Sequence, residues 1–539
     1  MPDILHTLLK GVVENLVNWL QGPISLSVKG ALSKQPRDPQ SILDTGWVQQ
    51  LDHRFSQVPD FPGLKKFSHF SAVSQWQGVE SKAFTRQVIA VIAPFLTQSD
   101  KAAMHCARAI LDFVLISQYR SHDDTTIEYL EHALYRLNKL KRAFEANRPM
   151  IKDTTEAHFN YPKFHALTHF PEYIKSHGSI DAYSTSPFEH LHRVLVKTYY
   201  NRTNKRADFL KQICDHNIRR TAFLAMESLL LQAQTRHQTN AEIRDIIHPT
   251  RPTRELHLVK DAQWSLSPAD WALSRFNGRR QTLRLRKNYW CRASTMAFEL
   301  GLDDFIPALA AFVQDRRNRV DQILDDDQLD KRQKDTSWVE VLPVSLHPSI
   351  VCWKRDGRDS QNTEKLVSEL VRCKPKWQNE QGIWRRDHVW VREHADAEAG
   401  QPRRNNLVGR LLAIVTVHDP ERRDEDGEPQ RYSGAFIDIL RHRNKGRPHD
   451  VHGLIEVEPI PPSSAKNPWK LGSRRFYEIS TIQRSAHLVA ARLTSAEKQF
   501  FYINSYIDWD QYNVLFDQHF YDIGKRTADR FAKEHQWVT

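Results

Sequence analysis

The chain has 539 residues, 40% hydrophobic and 10% aromatic, enough apolar material for roughly two to four domain cores, which excludes a wholly disordered protein. Lys and Arg number 77 against 65 Asp and Glu, a formal charge of +12 that suits a polyanion such as DNA and equally a merely basic soluble surface. The 19 glycines form no GxGxxG or GxxxxGK[ST], the five cysteines form no CxxC, and no apolar run reaches the roughly 18 residues of a membrane span, which argues against a phosphate-cradling loop, a zinc finger or disulfide framework, and a transmembrane helix.

The N-terminal MPDILHTLLKGVVENLVNWL lacks the basic leader and cleavage site of a secretory signal. It reads as an amphipathic helix already under way, and its abrupt start gives the expectation of a truncated gene product or a fragment. Leu8, Leu9, Val12, Val13, Leu16 and Leu20 recur at helical spacing. After a Gly/Pro/Ser-rich stretch around 22–40, helices are predicted over 84–118 and 126–144, with cap residues at Thr97–Asp100. Residues 158–188, dense in aromatics and turn residues, predict a short strand and loops. Ser184, Thr185 and Ser186 then offer caps, and Pro187 a first-turn position, for a helix over about Phe188–Asn201; a second helix covers about 206–234.

Residues 236–335 read as a basic, partly helical connector. Within it, WALSRFNGRRQTLRLRKNYW (271–290) carries Arg275, Arg279, Arg280, Arg284, Arg286 and Lys287 without an acid. These cations suit phosphate contacts, and the flanking aromatics suit base stacking or simple packing. The RxRK end reads as a nuclear import signal, and a solvated basic helix is the competing reading. Residues 325–335 look like a solvated linker. Beyond 336, WVEVLPVSL, HVWVREH, LVGRLLAIVTVH, YSGAFIDIL, HGLIEVEPI and FYEISTIQ predict a β-rich barrel or sandwich, with helical turns near 509–535. The organisation expected is therefore 1–235, 236–335 and 336–539, with a compact helical unit over about 40–155 separate from the β module.

Three groups could carry chemistry. Asp3 and His6 share a helix face and could bind a metal or each other; a helix-start Asp beside an incidental His is the simpler account. Glu189 sits in a first helical turn, in one stripe with Arg193 and Lys197. There a carboxylate can hold Mg²⁺ while the cations face phosphates, or it can simply favour the helix dipole and pair with Arg193. His158, His165, His169 and His177 include one zinc-like spacing but no HExxH order, and prolines interrupt them, which favours structural histidines.

Four segments, taken in order, resemble the fungal Plavaka-type transposases, CACTA-like enzymes of the KDZ superfamily. They are PDILHTLLKGVVENLVNWL, FSAVSQWQGVESKAFTRQVIAVIAPF, PKFHALTHFPEYIKSHGSIDAYSTSPFEHLHRVLVKTYYNRTNKR, and RRFYEISTIQRSAHLVAAR with FYINSYIDWDQY. The resemblance implies an RNase H-like core of the DDE type, in which two Asp and one Glu hold two Mg²⁺ or Mn²⁺ ions and a long helical insert precedes the Glu. It implies that Glu189 is that Glu, that the insert covers about 20–155, and that Asp3 and His6 are the family's [C/D]-x-x-H motif. It also implies an upstream CxxC, absent here, that completes a Zn²⁺-like site with that motif.

Two of the three catalytic carboxylates are thus missing. Two-metal phosphoryl transfer needs several carboxylates to hold cations about 3.5–4 Å apart, which one Glu cannot do. The expectation is an α+β protein: the C-terminal part of an RNase H-like transposase core with a large all-α insert, followed by a β-rich module. Its function would be transposase-derived, resembling enzymes of metal-dependent DNA cleavage and strand transfer, with no cleavage by this chain and no metal bound. DNA, a homo-oligomer and the nucleus are the partners and location implied, with no membrane. The alternative is a non-catalytic DNA- or chromatin-binding protein derived from such a transposase; a fragment without function is the third reading.

Overall fold

A computed structural model describes residues 3–20, 24, 46–73, 76–147, 161–180, 184–235, 280–284, 290–321, 336–358, 364–374, 385–392, 406–424, 427–460, 473–491 and 499–508, with six single positions beyond. It combines helices and antiparallel sheet, an α+β protein.

Up to residue 235 the described residues contain helices and no strand. The chain opens on α1 (Ile4–Val13), wound as a π-helix and continued as α-helix to 20, with Leu8, Leu9, Val12, Val13 and Leu16 buried along one side. Next come α2 (Gly46–Ser56), α3 (Gly78–Thr85), α4 (Val88–Ser99), α5 (Lys101–Ile116) and α6 (Asp124–Leu140). Helix α5 is buried from Ala102 to Ile116, as befits a helix apolar nearly all round. Asp100 caps α5 through the Ala103 N–H (2.9 Å), and Asp123 caps α6 in a reciprocal box with Thr126.

Residues 161–177 differ from expectation. They form α7 (Pro162–Ala166) and α8 (Phe170–His177), because Pro162 and Pro171 occupy first-turn positions, where the missing N–H costs nothing, and so begin helices instead of breaking them. Helix α9 (Ser186–His192) continues through a π-helical stretch, Arg193–Lys197, into α10 (Thr198–Tyr200). After a turn containing Lys205 at φ 57°, α11 (Phe209–Thr235) runs back beside it. Asn217 donates to the Leu195 carbonyl (2.8 Å) and His216 stacks on Tyr199, holding the hairpin together. The hairpin leaves Phe188, Leu191, Leu210, Ile218, Phe223 and Met226 exposed.

The β module holds a ten-stranded antiparallel sheet among the described residues. Its main path links β12 (Ile482–Ala486), β7 (His388–Arg392), β8 (Asn406–Arg423), β9 (Pro429–His442), β10 (Ile455–Pro459), β14 (Phe501–Ile503) and β13 (Leu488–Ala490). His487 alone separates β12 from β13, so the ladder returns on itself as a small barrel. Alternation sorts the side chains. Trp390, Val408, Leu440, Val457, Leu488 and Ile503 cluster inside; Val389, Val391, Leu411 and Ile437 face outward against Ile350 and Val371. Those last two belong to a second sheet of β1 (Arg280–Arg284), β4 (Ser349–Arg358), β5 (Glu364–Lys374) and β6 (Arg385–Arg386).

Two sequence expectations are corrected here. The basic stretch is not helical at 280–284: β1 pairs with β4 from Arg280↔Trp353 to Arg284↔Ser349, and β2 (Trp290–Arg292) pairs with β3 (Pro343–Leu346). Helices α12 (Ala293–Leu300) and α13 (Phe305–Asp321) bury Met296, Phe305, Leu309 and Val313 against β8 and β9. The β module therefore begins near 280, not 336. A charged edge strand shows little apolar alternation, because its partner strand supplies the order.

The helical block is also not separate from the β module. Val451, Leu454, Val489, Tyr502 and Tyr506 share one core with α4, α5 and α6. At this seam Asp112 accepts from Arg136 (2.5 Å) and from the hydroxyls of Tyr506 and Tyr512 (both 2.8 Å). Arg54 donates to the Ala490 carbonyl (2.8 Å) and Asn504 to the Arg86 carbonyl (2.7 Å). Gly453, at φ 76°, lies against Arg108; a Cβ there would stand 2.5 Å from Nε. Among the described residues, no helix is long and apolar enough to cross a membrane.

Candidate functional site

The start of α1 meets the start of α9. Asp3, in extended backbone, caps α1 by accepting the His6 N–H (2.7 Å), and its Oδ2 also meets His6 Nδ1 (2.8 Å). The same carboxylate accepts the Thr185 N–H (3.0 Å) and hydroxyl (2.8 Å). Burial alone would raise the Asp3 carboxyl, but the hydrogen bonds from Thr185 and His6 outweigh it and hold it below its ordinary range. Thr185 precedes α9, yet its hydroxyl turns to Asp3 and does not cap that helix. Asp3 is thus a clasp between two helix starts, with both oxygens engaged.

That clasp orients His6. With Nδ1 on Asp3, Nε2 faces Glu189 Oε1 at 3.6 Å, and both side chains are about half exposed, at 49% and 53%. This is the order of a carboxylate-supported metal histidine, in which the supporting acid fixes the tautomer and leaves Nε2 as ligand. Two ligands at roughly 2.1 Å from a tetrahedral ion stand about 3.4 Å apart, so Nε2 and Oε1 are spaced to share one cation. They are two ligands, and Asp3 acts behind His6, not beside it.

Arg193 and Lys197 are exposed on the same helical run as Glu189 and make no ion pair among the described residues. The pairing of Glu189 with Arg193 that its spacing allows is not formed. Both helices of the cluster contain π-helical turns, at Ile4–Val13 and Arg193–Lys197, a feature that accompanies functional positions more often than ordinary helix.

Of the six basic residues in 271–290, Arg275, Arg279, Arg286 and Lys287 lie outside the described residues; Arg280 and Arg284 are placed by backbone on the edge strand β1. His158 also lies outside them. His165 and His169 meet edge to face at 5.0 Å, and His177 Nδ1 bonds Ser176 (2.7 Å), as structural histidines do.

Among the described residues, the one group of three metal-capable ligands within 4.8 Å of one another is His449, His452 and Glu456, which sequence reasoning overlooked. Its signal was legible as HDVHGLIE, two His three apart with a Glu four beyond. The rings stack at 4.2 Å, and His452 Nε2 lies 3.4 Å from Glu456. However, the Val451 N–H points at His449 Nδ1 (3.2 Å) and the Leu454 N–H at His452 Nδ1 (3.1 Å). Each Nδ1 therefore accepts, and each Nε2 carries the proton, the opposite of the tautomer a metal on Nε2 requires. Burial lowers His452 to about 4, so it is neutral at pH 7, and the group is a hydrogen-bonded corner of the seam.

No family model, no curated protein and no solved structure matches this chain.

Proposed function

We propose that this chain is a transposase-derived DNA-binding protein of the Plavaka/CACTA type, retaining the Glu-bearing side of an RNase H-like core but not cutting DNA by itself. The observation that carries the reading is the meeting of Asp3 and His6 with Thr185 and Glu189, more than 180 residues away in the sequence. In the family resembled, the [C/D]-x-x-H motif and the catalytic Glu frame a long helical insert, and here the chain between them is helical among its described residues. The exposed apolar side of the α9–α11 hairpin is a second support. Phe188, Leu191, Leu210, Ile218, Phe223 and Met226 are exposed there, an apolar surface suited to packing against a further element.

The residues present do not fit a two-metal centre. Mg²⁺ favours six oxygen ligands, and the cluster offers one carboxylate and one imidazole. No cleavage step follows from it. What Arg193 and Lys197, exposed on the helical run of Glu189, can do is meet a phosphate backbone directly. The net charge of +12 favours the same partner, and the 279–287 cations suit nuclear import.

Two measurements on the full chain test this. Duplex DNA binding should weaken steeply between roughly 50 and 200 mM salt. Plasmid nicking with Mg²⁺ or Mn²⁺ should be absent. Absence of DNA binding at low salt would overturn the proposal, and nicking that disappears in Glu189→Gln would overturn the non-cutting assignment.

A further inference from the structure

Helix α11 has two unlike parts. Its first part is held by the arm it runs back along: Ile213 is buried, Asn217 donates to the Leu195 carbonyl (2.8 Å), His216 stacks on Tyr199, and Phe209 meets Tyr200 edge to face. From Ile218 to Ser228 every side chain is exposed, eleven in succession, so no element among the described residues covers this stretch on any side.

Those residues do not have the composition of a solvated helix. Ile218, Ala222, Phe223, Leu224, Ala225 and Met226 are apolar, with Phe223 73% and Met226 61% exposed. Helices in proteins are stabilised chiefly by packing an apolar face, and a helix with no such packing is barely stable in water. Exposed apolar surface gathered in this way marks an interaction site.

The charges on the stretch say what the surface fits. Arg219, Phe223 and Glu227 stand at i, i+4 and i+8 and line one ridge, with Ala222 and Met226 beside Phe223. Each charge lies one helical step of four residues, about 6 Å, from Phe223, the cation before it and the acid after it. Neither Arg219 nor Glu227 makes an ion pair among the described residues. Opposite charges placed equally far from an apolar centre make the ridge its own complement under a two-fold rotation. Antiparallel, Phe223 meets Phe223, and Arg219 of each copy stands opposite Glu227 of the other. A parallel pairing would set like charge against like. A phosphate backbone is a poor occupant, because Glu227 would face it.

We propose that α11 is a dimerisation helix: two copies of this chain pack it antiparallel about Phe223, and two Arg219–Glu227 ion pairs close the ends of the contact. The aromatic and Met226 supply the desolvated centre, and the charges at its rim set direction and register. The further element that the exposed apolar surface calls for is then a second copy. This inference does not depend on Glu189, on DNA binding or on DNA cleavage.

The test is sedimentation velocity of the full chain without DNA, across a hundredfold range of micromolar concentrations, where a monomer–dimer equilibrium is expected. Arg219→Glu and Glu227→Arg each create two like-charge pairs in a two-fold interface, so each alone should weaken the dimer at least tenfold while leaving the melting of dilute protein unchanged. The double variant, Arg219→Glu with Glu227→Arg, exchanges the charges and should return the affinity to within threefold of wild type. An equimolar mixture of the two single variants should form a heterodimer, because the charges match again. Phe223→Ala should weaken the wild-type dimer at least tenfold. A chain that stays monomeric would overturn the proposal, and slow amide exchange over 218–228 in that monomer would assign the cover to another part of the same chain. A dimer that neither single reversal weakens, or that the double reversal fails to restore, would overturn it as well, while salt-sensitive duplex binding would still leave the DNA-binding reading standing.

Discussion

Replacing Asp112 with Ala should uncouple the helical block from the β module. The carboxylate is 1% exposed, and its partners Arg108 and Arg136 are 3% and 5% exposed, so the deletion strips two buried guanidinium groups of their shared counter-charge. Removing one member of a buried, hydrogen-bonded ion pair costs about 3–5 kcal/mol. The hydroxyls of Tyr506 and Tyr512 lose a charged acceptor at the same time, though these losses are not additive. Against a typical domain stability of about 5–15 kcal/mol the change is large. Urea unfolding followed by tryptophan fluorescence at pH 7 should show a midpoint lower by about 1 M, for an m-value of about 3 kcal/mol/M or more. Tyr506→Phe, which removes one donor only, should cost roughly 1–2 kcal/mol.

The pH dependence supplies an internal control. Burial would raise the Asp112 carboxyl, but Arg136 and Arg108 hold it below its ordinary range. Its contribution is therefore complete above the unfolded value of about 3.9 and is lost as pH falls through the lower folded value. The gap between wild type and Asp112→Asn should be full at pH 7 and shrink below about pH 4. A cost under ~0.5 kcal/mol for both Asp112→Ala and Asp112→Asn at pH 7 would refute the account of the seam.

Other predictions follow from single interactions. Asp3→Ala removes a cap and the clasp to Thr185, and should cost about 1–2 kcal/mol while raising amide exchange together at the starts of α1 and α9; unchanged exchange at α9 would argue against the clasp. Gly434→Ala places a Cβ 2.8 Å from Phe312 and 3.2 Å from Phe476, so its loss in thermal stability, about 1–3 kcal/mol, should exceed that of Gly427→Ala, which meets open space and suffers only from φ +80°. Neutralising Arg279, Arg280, Arg284 and Arg286 together should flatten the salt dependence of duplex binding by about 0.9 for each phosphate no longer neutralised, and an unchanged slope would remove this segment from the interface. In the native protein a thiol reagent should label exposed Cys214 first and spare Cys106, Cys352 and Cys373, which are buried, with burial pushing the Cys373 thiol up to about 12; early labelling of Cys373 would contradict the packing of β5.

Local chemistry made much of this fold legible. Apolar residues at helical spacing announced α4, α5 and α6; Asp100 announced a cap; the runs rich in β-branched and aromatic residues at 388–394 and 407–418 announced strands of a barrel or sandwich. The misses share a cause. At 162–177 prolines read as breakers, although the same residue type initiates a helix from its first turn, as it does at Pro187. At 280–284 dense charge concealed a strand whose order comes from β4. The seam had no local signal: Asp112 and Tyr506 stand 394 positions apart, and neither has neighbours that reveal the other. In the candidate site, the family resemblance singled out Asp3, His6 and Glu189 but set the first two beside an upstream CxxC and did not bring them to Glu189; the part of Thr185 had no signal either, because a hydroxyl before a helix reads as a cap until a carboxylate competes for it.

The tyrosines that complete the environment of Asp112 impose an order on biosynthesis. At a translation rate of about 5–20 residues per second, the 394 positions from Asp112 to Tyr506 take roughly 20–80 s to make. Through that interval α5 and α6 are fully synthesised, yet they still face solvent along the side that Val489, Tyr502 and Tyr506 will cover. Hairpins and helices form within microseconds, so the helical block has ample time to collapse around an unfinished polar centre. Its final packing waits for the ribosome, and during that wait the nascent chain presents the sticky surface that holdase chaperones recognise.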